Sequence, residues 1–110
     1  MTLRSKQEDA KEKKEREKAL FEAMLMLRNK EECAVFFTDL CTPSELQAMA
    51  DRWLVARLLY EDKKSYRQIH EETGISLVTI GRVARFLTQE SYQGYRLVLQ
   101  RAKNLALDRH

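Results

Sequence analysis

Between Ser65 and Val83 the chain reads SYRQIHEETGISLVTIGRV, and this stretch constrains the fold more than any other. Helix formers run up to Thr73, Gly74 interrupts them, and a serine-led apolar run restarts at Leu77. Ser65 and Ser76 are of the type that caps a helix start by accepting a backbone N–H. A glycine just past a helix takes the left-handed conformation that ends it. The stretch therefore predicts two short helices set at an angle. Ile69, Ile75, Ile80 and Val83 have the spacing that locks them together. Ser76, Leu77, Val78, Gly81, Arg82 and Arg85 are left on the outward side of the second helix.

Two helices joined by a tight glycine turn form a helix-turn-helix unit, whose second helix enters a DNA major groove about 12 Å wide. Leu77 and Val78 would be exposed apolar residues at a helix start unless they met a partner such as thymine methyl groups. The local charge agrees. From residue 63 to 87, Lys63, Lys64, Arg67, Arg82 and Arg85 oppose only Glu71 and Glu72, a local +3 that favours a polyanion. A purely structural corner would need neither the outward arginines nor the exposed apolar pair. Such units usually place a small residue after the position of Ile69; His70 there predicts a different helix crossing.

Around this unit the chain reads as helical throughout. With three glycines and one proline in 110 residues, it lacks the turns that a sandwich or barrel needs. Residues 1–18 hold twelve charged side chains of both signs, net +2, and read as a solvated helical extension or a disordered tail. Residues 19–110 form the domain, with the helix-turn-helix at 65–87. Leu20, Phe21, Met24, Leu25 and Leu27 recur at helical spacing up to Asn29, which can cap a second helix. Cys33, Val35, Phe36, Phe37 and Leu40 give that second helix more apolar surface than one small chain can bury, which predicts a partner surface. Thr42, Pro43 and Glu45 mark the next helix start. Its expected buried stripe is Leu46, Met49, Ala50, Trp53, Leu54 and Leu58. Val98, Ala102 and Leu105 are spaced as a last amphipathic helix over Tyr95 to Leu107.

Several functions are disfavoured by what the sequence holds. Cys33 and Cys41 have no Cys-x-x-Cys spacing and read as free thiols of a reducing cytoplasm. His70 and His110 are forty residues apart with no carboxylate pattern around them, so the expectation is a non-enzyme without a metal site. No stretch approaches the ~20 apolar residues of a membrane span.

Together, CTPSELQAMADRW (Cys41 to Trp53) and TGISLVTIGRV (Thr73 to Val83) resemble the Trp repressor superfamily, in particular its smaller branch called YerC/YecD. The resemblance covers roughly Leu20 to Leu99. It implies an all-α, interwound homodimer acting as a bacterial cytoplasmic DNA-binding regulator, a repressor at a palindromic operator. The family's DNA contacts map onto Arg67 from the bracing helix and Leu77, Val78 and Thr79 on the reading helix. Thr79 and the backbone amides capped by Ser76 would hold phosphates, as would Arg82 and Arg85, with Lys63 and Lys64 before the bracing helix. In Trp repressors a threonine and two arginines line an L-tryptophan pocket, and Thr42, Arg52 and Arg82 match them. Two departures argue against tryptophan: Val83 replaces a glycine that leaves room for the indole, and Phe86 replaces a small serine. A reader active without corepressor is expected, with another small effector as the variant. The rival function is a helical interaction module docking on the transcription machinery.

Overall fold

The computed structural model describes residues 5–89 and 93–108. Met1 to Arg4 of the charged segment and His110 lie outside the described residues. The described chain is helical: α1 Lys6–Met24, α2 Lys30–Leu40, α3 Pro43–Tyr60, α4 Tyr66–Thr73, α5 Leu77–Thr88 and α6 Gly94–Asp108. It divides into two compact units, Met1–Thr42 and Pro43–His110.

In the first unit the charged segment and the first apolar segment are one helix, with no break between residues 18 and 19. Ser5 caps it, its hydroxyl accepting from the Glu8 N–H at 3.1 Å. The helix stops at Met24, short of the Asn29 expected from periodicity. Asn29 is extended (φ −156°, ψ 174°) because it caps α2, accepting from the Glu32 N–H at 2.8 Å. Glu32 in turn accepts from the Arg28 N–H at 2.9 Å. These bonds hold the link out of helical geometry, so Leu27 falls in the link between α1 and α2. Neither α1 nor α2 contains a buried residue. Phe21, Leu25, Met26 and Val35 are each more than half exposed, an apolar surface that α1 and α2 do not bury against each other.

The second unit contains the core. Val55 and Ala56 from α3, Ile69 from α4, Ile80, Val83 and Leu87 from α5, and Leu99 from α6 form one buried cluster. Helix α5 lies at its centre, packed on α3, α4 and α6. The expected α3 stripe holds at Trp53 and Leu58, which pack against this cluster, and requires correction elsewhere. The face turned to the core carries Val55 and Ala56, while Met49, Ala50 and Leu54 are exposed. Apolar residues surround α3 on all sides, so periodicity does not say which side meets its own chain. The last helix differs in the same way. Leu99 is buried, whereas Val98, Ala102 and Leu105 are exposed.

The corner forms as its residue types dictate. Gly74 has φ 77° and ends α4, its N–H bonded to the His70 carbonyl at 2.9 Å. A Cβ built there would meet nothing within 4 Å, so a side chain is opposed by conformation alone. Gly74→Ala is therefore expected to cost about 1–2 kcal/mol, the penalty for a side chain in the left-handed region. Thermal unfolding should show a midpoint lowered by several degrees; an unchanged midpoint would contradict the local account.

Candidate nucleic-acid interface

The bracing helix starts with a reciprocal capping box. Ser65 Oγ accepts from the Gln68 N–H at 3.1 Å, and Gln68 Oε1 accepts from the Ser65 N–H at 2.9 Å. Ser76 Oγ likewise accepts from the Thr79 N–H at 3.1 Å to open α5, and its hydroxyl donates to Thr79 Oγ1 at 3.0 Å. The Thr79 amide is thus occupied. The amides of Leu77 and Val78, which have no carbonyl one turn earlier in the helix, point out of its N-terminus.

Two further side chains fasten the turn. Thr73 Oγ1 donates to the Ile69 carbonyl at 2.6 Å and accepts from the Ile75 N–H at 3.1 Å. His70 Nδ1 lies 2.8 Å from the Ile75 carbonyl, the geometry of an imidazole N–H donating across the corner. His70 therefore fastens the corner, a role that its size alone did not suggest. Its side chain is exposed and does not enter the helix crossing, which the fully buried Ile69 and Ile80 make. Sequence reading missed both fasteners, although Thr73 beside Gly74 is a residue type that bonds local backbone.

On the outer side of α5, Leu77 is 53% and Val78 84% exposed, while Ile80 and Val83 behind them are buried. Arg82 and Arg85 are exposed on that same helix. The Arg82 guanidinium carbon lies over the Phe86 ring, 4.4 Å from its centroid, and that of Arg85 lies 5.3 Å away. This shared ring was also missed, though the Arg82–Phe86 spacing of four residues makes such a contact readable.

The remaining candidates lie before and on α4. Lys63 is exposed and holds a left-handed backbone (φ 51°) where the chain leaves α3. Lys64 Nζ sits 2.6 Å from Glu72 Oε2 across α4. Its hydrogen bond to Glu72 raises its pKa above the ordinary 10.5, outweighing partial desolvation, and the charges of Glu72 and Asp62 add to the effect. The part of any stability that is linked to the Lys64 proton is present at neutral pH and is lost as pH rises through the raised alkaline pKa. Arg67 projects from the first turn of α4 with its side chain 89% exposed, 3.6 Å from Glu71. Of the residues matched to an effector pocket, Thr42 immediately precedes α3, Arg52 is half-buried on α3, and Arg82 is on α5.

The Trp repressor protein family model matches residues 15–103 of this chain. The chain belongs to the Trp repressor family. It is 45% identical over 84 residues to YerC, an uncharacterized protein of Bacillus subtilis, covering 76% of this chain and 79% of YerC. A Staphylococcus aureus crystal structure put forward as a Trp repressor is similar at 40% identity and a TM-score of 0.73, over 78% of this chain and 84% of that one. A TrpR-like protein from Eubacterium eligens is similar at 37% identity and a TM-score of 0.72, over 78% and 87% of the two chains. This Trp repressor family is one of helix-turn-helix transcription regulators and is not enzymatic. Among the described residues no helix is long and apolar enough to cross a membrane.

Proposed function

We propose that this Trp repressor family member is a cytoplasmic, sequence-specific DNA-binding regulator, a repressor that reads a palindromic operator as a homodimer. One observation carries the reading: Leu77 and Val78 are exposed beside Arg82 and Arg85 on a helix whose opposite side is buried. An apolar pair at the start of a projecting helix suits thymine methyl groups, and the flanking cations suit phosphates. The Leu77 and Val78 amides at the helix start add donors for a phosphate oxygen. In this reading Arg67, Leu77 and Val78 contact bases. Ser76, Thr79, Arg82, Arg85 and Lys63 hold the backbone, and Lys64 joins them once released from Glu72.

Dimerisation is supported by the uncovered apolar residues of α1 and α2 together with the exposed Val98 and Leu105 of α6. Two reading helices related by a two-fold axis then meet half-sites about 34–36 Å apart. Selection from a pool of random duplexes tests the proposal: it should return a palindromic consensus. A rival docking module on the transcription machinery is favoured by Val78, an apolar side chain that also suits a protein groove. It would enrich no duplex and show little loss of binding with salt. Phosphate neutralisation instead gives a steep salt dependence.

The reader we propose needs no L-tryptophan. Val83, at the family's glycine position, is 1% exposed within the core, and the Phe86 ring already lies beneath the Arg82 guanidinium. Calorimetry with L-tryptophan should show no binding heat; a micromolar dissociation constant would overturn this part of the proposal. Another small effector engaging Thr42, Arg52 and Arg82 would show as a metabolite-dependent change in operator affinity.

The Lys64–Glu72 pair gives a further expected result. Glu72→Gln removes the carboxylate that holds the ammonium and frees Lys64 for phosphate. DNA affinity should rise at low salt, and the slope of log affinity against log salt should steepen by up to about one. Titration of one duplex at several salt concentrations checks this, and a weaker-binding variant would refute it.

A further inference from the structure

We infer that Phe86 is a positioning residue for DNA binding: its ring pre-sets the Arg82 and Arg85 guanidinium groups on the outer side of α5 before DNA arrives. The inference rests on the DNA-binding reading above. Val78, Arg82, Arg85 and Phe86 stand four, seven and eight residues apart along one helix, so they share a face. On that face one ring lies 4.4 Å from one guanidinium carbon and 5.3 Å from another. Phe86 is half-buried, yet it belongs neither to the buried cluster nor to the partly buried residues packed against it. Its phenyl ring is therefore not explained as core filling.

The physical gain comes from entropy. A free arginine side chain has many rotamers, and fixing it on a phosphate loses them at the moment of binding. A ring that attracts the cation through its quadrupole restricts those rotamers in advance. The Arg82 guanidinium carries five N–H donors, so with its carbon held over the ring it keeps donors for phosphate oxygens. The aromatic residue thus raises affinity without contacting DNA itself. Because the number of charges meeting phosphate is unchanged, the effect is on affinity and not on the salt slope.

Phe86→Leu keeps an apolar side chain and removes the quadrupole, whereas Phe86→Tyr keeps the ring. Affinity for a selected duplex is measured at several salt concentrations, and the Arg82 and Arg85 Nε–H order parameters are measured by nuclear magnetic resonance in the free protein. The leucine variant should bind about three- to tenfold more weakly with an unchanged salt slope, and its two guanidinium groups should become more mobile. The tyrosine variant should match the native protein in both. Phe86→Met replaces the leucine variant if that one does not fold. Loss of affinity without loss of arginine order, loss of order without loss of affinity, or a tyrosine variant as weak as leucine would each overturn the assignment. A native chain that binds no duplex even at low salt would instead overturn the DNA-binding reading, and this inference with it.

Discussion

Replacing Ile80 with alanine is expected to destabilise the chain by about 2–5 kcal/mol, the range for truncating a fully buried isoleucine. Ile80 has no exposed surface and belongs to the cluster that joins α3, α4, α5 and α6. Its loss removes buried methyl groups and leaves a cavity behind the helix that presents Leu77 and Val78. Denaturant titration at fixed protein concentration should show a lower midpoint with a similar slope. Two residues earlier, Val78→Ala should change stability by no more than about 0.5 kcal/mol, because that side chain is 84% exposed. The same change should weaken operator binding, since it removes an apolar base contact. The two substitutions thereby separate support from reading on one helix. If Val78→Ala destabilised the chain as much as Ile80→Ala, the outer side of α5 would not be a free surface.

The parts of this fold that depend on local chemistry were legible in the sequence. Asn29, Ser65 and Ser76 cap their helices because a short oxygen-bearing side chain can reach an N–H two or three residues ahead. Gly74 adopts its positive φ because glycine has no Cβ to oppose it. What was misread depends on which neighbour a surface meets. Apolar residues surround α3, so spacing could not tell the side facing α5 from the side carrying Met49 and Leu54. In α6 Leu99 is buried, adjacent to the exposed Val98 that periodicity favoured. The candidate site divides along the same line. The outward position of Leu77 and Val78 follows from helical spacing once Ile80 is inward. Lys64–Glu72 joins residues eight apart through a loop and a helix, a pairing no periodic pattern encodes. His70, a large residue where such units usually hold a small one, predicts a different helix crossing; its exposed ring reaches the Ile75 carbonyl, a contact that size alone does not encode.

Arg67→Ala should cost about 1–3 kcal/mol of affinity for the selected operator and relax the preferred base at one position in each half-site. The reason is geometric. Arg67 leaves the first turn of α4 with its side chain 89% exposed, and its contact to Glu71 at 3.6 Å is an exposed pair of neighbours on one helix. Such a pair is worth at most ~1 kcal/mol, so it gives way to a bidentate contact with guanine O6 and N7. Lys63→Ala removes a cation from the chain leading into the same helix, but an ammonium on a flexible stem meets phosphate as a point charge. Its loss should weaken all duplexes about equally and lower the salt slope by about one. Lys63 is the cleaner partner for this comparison than Lys64, whose ammonium is held by Glu72. Cognate and scrambled duplexes titrated at several salt concentrations distinguish the two roles. The ratio of the two affinities should fall for Arg67→Ala and stay constant for Lys63→Ala. Equal losses on both duplexes from both variants would mean that α4 only grips the backbone. Base reading would then rest on α5 alone.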